Sequence, residues 1–192
     1  EGGSQGSFTV VFFFFSSTTV NITISTSSSR VVISSTTLSF TASDWNSAQT
    51  VYVTSVNNSV ADGTVTSSIT FSASSGDSAY NSISISRITV TSTDNDTAGV
   101  TVSSTSISVT EGSTTSSFTV VLNSQPTSTV NITLTTSSAR VLLSTTTLSF
   151  SSASWDTAQT VIVTAFDNNI TDGTVTSSIT FAASSSASQY NN

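Results

Sequence analysis

The chain has 192 residues and a formal net charge of -7, with only 7% charged residues and 85 Ser or Thr. Three Arg and no Lys offer no basic cluster for phosphates, which argues against a nucleic-acid partner; no apolar run approaches the roughly 20 residues of a bilayer-spanning helix, so no membrane insertion is expected. With no His and no Cys, the usual general bases, thiol nucleophiles, zinc ligands and disulfides are missing, and the chain reads as a non-enzyme.

Ser and Thr at this density suit either a mucin-like stalk or a set of strands. A single Pro and regular alternation favour strands: Val20-Asn21-Ile22-Thr23-Ile24 puts its apolar residues on one face and its polar ones on the other. A longer pattern settles the architecture. Residues 1–82 recur as 111–192 without a gap, and 47 of the 82 pairs are identical, among them Glu1 with Glu111, Arg30 with Arg140, Trp45 with Trp155 and Tyr80 with Tyr190. A period of 110 residues is the size of a domain rather than of a solenoid repeat. The chain is read as all-β, with tandem domains at 1–98 and 99–192.

In chain order, the first repeat predicts strands at Ser7–Phe13, Thr19–Thr26, Thr37–Phe40, Thr50–Ser55, Thr64–Ala73 and Ile83–Thr93. The turn Asp94-Asn95-Asp96-Thr97-Ala98-Gly99 follows. The second repeat predicts Val100–Ser103 with Ser106–Thr110, then Ser117–Leu122, Thr129–Thr136, Thr147–Phe150, Thr160–Phe166 and Thr174–Ala183. Turn residues separate these segments at the spacing of a sandwich or a barrel. The first domain lacks the counterpart of Val100–Thr110, so its first strand set is incomplete, and the second lacks the counterpart of Ile83–Thr93. Together the missing pieces are one block of the period, residues 83–110. Two readings of this follow: the chain is a window on a longer array, or subunits join head to tail, each donating a strand to its neighbour's open edge.

Seven of the ten carboxylates fall at three recurring places. Glu1 and Glu111 begin Glu-Gly pairs, Asp62, Asp167 and Asp172 lie in the loops 56–63 and 166–173, and Asp94 and Asp96 lie in the turn between repeats. Asp44, Asp77 and Asp156 read as turn residues. Ser106-Ile-Ser-Val-Thr-Glu-Gly112 followed by Phe118-Thr-Val-Val-Leu122 resembles the opening strands of a Calx-beta domain. Ile88-Thr-Val-Thr-Ser-Thr-Asp-Asn-Asp-Thr-Ala-Gly-Val100 resembles that family's closing strand and acidic turn, and the loop 167–172 its middle acidic loop. The Leu-Ser-Phe…Trp-Asx-x-Ala-Gln-Thr-Val-x-Val-Thr stretch is closest to the repeats of large bacterial surface proteins.

The resemblance spans essentially the whole chain and implies tandem antiparallel β-sandwich domains, immunoglobulin-like or Calx-beta-like, whose acidic loops gather at one tip. Its calcium-binding members imply a Ca²⁺ site from Glu1, Asn57, Asn58, Asp62, Asp94 and Asp96 in the first domain. In the second, the matching residues are Glu111, Asp167, Asn168 and Asp172. Ca²⁺ takes 6–8 oxygen ligands, and binding as weak as in other extracellular modules is expected. Two departures stand out: the neighbourhood of the Leu-Ser-Phe strand holds Arg30 and Arg140 where the family's strongest sites have an acid, and Asn stands at 57 and 58.

Sequons at Asn21, Asn57, Asn95, Asn131 and Asn169 are candidate glycosylation sites. Trp45 and Trp155 read as packing residues closing one end of each sandwich. The run Phe12–Phe15 aligns with Leu122-Asn123-Ser124-Gln125; four consecutive Phe cannot all face inward, so some are expected at the surface or against a neighbour. The function expected is structural: a repeat segment of an extracellular fibre, sheath or cell-surface stalk, stiffened by calcium at domain junctions. Its partners are neighbouring repeats or identical subunits head to tail. The other readings are an adhesin module binding glycan or protein, and a calcium-responsive regulatory domain.

Overall fold

The computed structural model of the chain describes residues 1–3, 5–171 and 173–191. They divide into two units, one formed by Glu1–Asn58 with Asp62–Asn95, the other by Ser59–Ala61 with Asp96–Asn192.

In the first unit the strands are β1 (Gly6–Val10), β2 (Val20–Thr26), β3 (Val31–Ile33), β4 (Thr37–Phe40), β5 (Gln49–Ser55), β6 (Val65–Ser75) and β7 (Ile88–Ser92). Alternation explains why they pair as they do. β2 buries Val20, Ile22 and Ile24 and exposes Asn21, Thr23 and Ser25; a shift of one residue would reverse those faces, so its register is fixed. It pairs antiparallel with β4, Ile22 opposite Leu38, and with β6, Ile22 opposite Ala73. The resulting sheet runs β4-β2-β6-β7, and a second sheet runs β1-β5-β3. The core lies between them: Val20, Ile22, Ile24, Leu38, Phe40 and Ile69 from one sheet meet Val51 from the other, with Phe8, Val10 and Val53 packed against them.

The second unit repeats this plan with β8 (Val100–Val102), β9 (Thr115–Leu122), β10 (Val130–Thr136), β11 (Val141–Leu143), β12 (Thr147–Phe150), β13 (Gln159–Ala165) and β14 (Ile179–Ser184), followed by a 3-10 turn at Ser188–Tyr190. Its sheets run β11-β13-β9-β8 and β12-β10-β14. Its core places Val130, Ile132, Leu134, Leu148 and Phe150 against Phe118, Val120, Val161 and Val163. The expected all-β antiparallel sandwich is the fold of both units.

Several predicted boundaries move. β1 stops at Val10, where its pairing with β5 ends, whereas its counterpart β9 runs on to Leu122 because Val121 and Leu122 pair with Thr101 and Val100 of β8. Ile83–Thr93 contracts to β7. Ser106–Thr110 is not a strand, although Ile107 and Val109 pack against the second core as its alternation requires. Thr174–Ala183 becomes strand only from Ile179. β3 and β11, three residues each, were not anticipated.

Candidate functional site

In the first unit the acidic residues meet at one corner, and the backbone explains how. Gly2 adopts a left-handed φ of +56°, and a Cβ there would stand 2.9 Å from the Asn57 Oδ1. Glycine is needed both for that angle and for the closeness of the 56–63 loop. The turn aims the Glu1 side chain inward, where it is 1% exposed. A carboxylate this buried needs partners. The Asn58 backbone N–H donates to Glu1 Oε2 at 3.3 Å and the Asn58 amide to Oε1 at 3.5 Å. Arg30, just before β3, ion-pairs with Glu1 and also with Asp62. Its backbone is fixed on both sides: its N–H donates to Ser28 Oγ at 3.1 Å, and its carbonyl accepts from the Val56 N–H at 2.9 Å.

Asp94 completes the corner. One of its oxygens accepts the Gly63 N–H at 2.6 Å, and Gly63 holds a φ of +76°. Oxygens of Glu1, Asp62 and Asp94 lie within 4.8 Å of one another. The hydrogen bond that Arg30 donates to Asp62, together with the charges of Asp62 and Asp94, holds the Arg30 guanidinium above its ordinary pKa despite the opposing effect of burial.

The second unit builds the same corner from fewer described groups. Gly112 has a φ of +66°, and a Cβ there would lie 3.3 Å from Asp167 Oδ1. Arg140 donates to Glu111 Oε2 at 3.2 Å, the Asn168 N–H donates to Glu111 Oε1, and the Arg140 carbonyl accepts from Phe166 N–H at 2.8 Å. The Asn168 Oδ1 caps the loop by accepting from the Ile170 N–H at 2.6 Å. Asp172 lies outside the described residues. Asp96 belongs to the second unit and is half-buried.

Of the residues carried over from the calcium-binding family, the structure thus brings Glu1, Asn58, Asp62 and Asp94 together. Asn57 sits against Gly2, and Glu111 joins Asn168. The donor set fits calcium poorly. Both Glu1 oxygens, one of Asp62 and one of Asp94 are already engaged, and a guanidinium is bonded between the carboxylates, whereas Ca²⁺ asks for 6–8 free oxygens. The arginines, which in the sequence stand out as a departure from the family's pattern, are members of the corner. Two of the chain's three arginines standing 110 residues apart was the available signal.

The other candidates are distributed over the surface. Asn21, Asn57, Asn95, Asn131 and Asn169 are all exposed. Phe12 is half-buried, its ring 4.8 Å from Phe40 and 5.0 Å from Tyr80. Phe13, Phe14 and Phe15 are 85%, 78% and 57% exposed, with Phe15 set edge-on to Trp45 at 6.4 Å. Trp45 and Trp155 are half-buried, and Trp155 packs against the second core.

No protein-family model and no curated protein matches the chain. Among solved structures, the D0-D1 domain of intimin matches at 15% identity and a TM-score of 0.30, covering 95% of this chain and 90% of that one. At that score the likeness is loose, and the fold rests on the strand pairing described above. No helix among the described residues is long and apolar enough to cross a membrane.

Proposed function

We propose that the chain is a structural repeat segment of an extracellular fibre, sheath or cell-surface stalk, made of Calx-beta-like sandwiches that complete one another along an array. One observation carries this reading: each repeat covers the part of the core that the other leaves open. In the second unit β8 pairs along β9, and Ile107 and Val109 pack on the core, so that Phe118 and Val163 are buried. Their counterparts Phe8 and Val53 in the first unit are only half-buried, and they line a groove of about 330 Å³ with Ile88 and Val90 beside the edge strand β1.

The relation reverses at the other edge. In the first unit β7 pairs with Val65–Ile69 of β6, and Ile69 is fully buried. Its counterpart Ile179 is half-buried in the edge strand β14, and Val175 is exposed beside a groove of about 290 Å³. An unpaired strand edge is a template for another strand. The strand that fits each edge is the one the period supplies in its other copy, from a neighbouring repeat or an identical subunit head to tail. Exposed sequons and the low charge agree with a glycan-bearing extracellular surface.

Scattering from chains lengthened by whole periods, with residues 1–110 spliced ahead of residue 1, tests the reading. The maximum dimension should rise by a constant increment per added period, as for other linear repeats. Growth as the cube root of length would overturn it.

A second reading, adhesion to glycan or protein, is favoured by the exposure of Phe13–Phe15 beside Trp45. Replacing them with the second unit's residues, Phe13→Asn, Phe14→Ser and Phe15→Gln, abolishes capture on immobilised glycan or host protein under this reading. Under the first reading the substitution has no such effect.

A further inference from the structure

We propose that Arg30 and Arg140 are the resident cations of the acidic corners, holding each loop closed in the place that a divalent ion would otherwise take. The inference deepens the fibre reading, because it makes the repeat's rigidity independent of calcium.

Three observations carry it. The first is position: Arg30 pairs with Glu1 from the opening segment and with Asp62 from the 56–63 loop, and its carbonyl holds Val56 at the start of that loop. One side chain therefore ties three parts of the chain together, as a metal would. The second is recurrence: the arginine stands at the same place in the period in both units, and in each it pairs with the glutamate of the Glu-Gly turn. The third is the state of the oxygens. Carboxylates of Glu1, Asp62 and Asp94 offer six oxygens, and four of them already accept from Arg30, Asn58 or Gly63.

Charge alone does not decide the matter. Three carboxylates against one guanidinium leave the corner negative, so a divalent ion is still attracted. Geometry decides it: the ion would have to displace a planar fork that is pre-shaped for carboxylates, or stand a few ångströms from its positive charge. Lysine would keep the charge and lose the two-pronged contact.

The test is thermal melting of the whole chain in EDTA and in about 5 mM CaCl2 at matched ionic strength, a concentration above the Kd range of extracellular calcium modules. The wild-type chain should melt within about 1 °C in both, whereas Arg30→Gln with Arg140→Gln should melt lower in EDTA by about 4 °C or more. Calcium should restore part of that loss, since the freed carboxylates then become ligands. Arg30→Lys should fall between the two and gain no calcium response. If the double variant folds only with calcium, the proposal stands; if it folds in neither buffer, Arg30→Lys folding without calcium supports it and requiring calcium overturns it. A wild-type melting point several degrees higher in calcium, or a double variant as stable as wild type in EDTA, would overturn it. None of these readouts depends on chains joining, so the fibre reading and this one fail separately.

Discussion

Thr64–Thr70 and Thr174–Thr180 have the same seven residues, yet they do not have the same structure. In the first unit the strand begins at Val65, because Val65–Ile69 find Ser92–Ile88 of β7 across the ladder. In the second unit the strand begins only at Ile179, where pairing with β10 begins. Identical propensity and identical alternation therefore give strand in one context and irregular chain in the other. A strand in these sandwiches is made by its neighbour, and the open edges of the two units are complementary for that reason.

The comparison can be broken most severely in the cores, where the units should behave alike. Phe40 and Phe150 are equivalent and fully buried. Phe40→Ala and Phe150→Ala should each cost about 3–5 kcal/mol. Each unit has one tryptophan, so urea unfolding followed by fluorescence in chains keeping only Trp45 or only Trp155 reads them separately. Costs differing by more than about twofold would mean that the two cores are not equivalent.

A smaller and unequal effect is expected at the paired tyrosines. The Tyr190 hydroxyl donates to the Ser124 carbonyl at 2.8 Å, accepts the Ser124 N–H at 3.1 Å and meets Ser124 Oγ at 2.8 Å, all buried. The Tyr80 hydroxyl donates to the Phe14 carbonyl at 2.6 Å in a less buried setting. Tyr190→Phe should cost about 1–3 kcal/mol by stranding buried groups, and Tyr80→Phe about 1 kcal/mol. Equal costs in the same fluorescence assay would show that the exposed Phe run does not loosen this corner.

The smallest effect separates Asp44 from its counterpart Ser154. Both cap a turn: Asp44 Oδ1 accepts from the Thr41 N–H and hydroxyl, and Ser154 Oγ accepts the Ser151 N–H at 3.2 Å. The Thr41 N–H, and then its hydroxyl, hold the Asp44 carboxyl below the ordinary carboxylate pKa. A depressed folded-state pKa adds stability above the unfolded value of about 3.9, and that stability is lost as pH falls through the folded value. Asp44→Ser should therefore lower the first unit's melting point slightly at pH 7, and the difference should fade as pH falls through the folded value. A difference that persists at low pH would assign the effect to packing.

The alternating strands were legible in the sequence. Val20–Thr26, Val130–Thr136 and the Leu-Ser-Phe strands bury every second residue, and pairing agrees with that pattern. Val31–Ile33 and Val141–Leu143 escaped because three consecutive apolar residues show no period. Ser106–Thr110 and the start of Thr174–Ala183 were overread because alternation reports burial of a face and is silent on whether a partner strand exists. At the corner, the glycines and carboxylates were visible as a set. The arginines were not, since their role depends on β3 placing Arg30 between Glu1 and Asp62, a tertiary fact with no local signature.

The central claim is that the strand closing one edge is the one the period carries in its other copy. It is tested most directly by lengthening the chain after Asn192 with a copy of residues 83–93 and following hydrogen exchange. The account predicts that amides of Val175–Ile179 become protected by about tenfold or more, as for other ladder amides. It also predicts that the second unit's melting point rises. Unchanged exchange at Val175–Ile179, with the added segment itself exchanging freely, would contradict it.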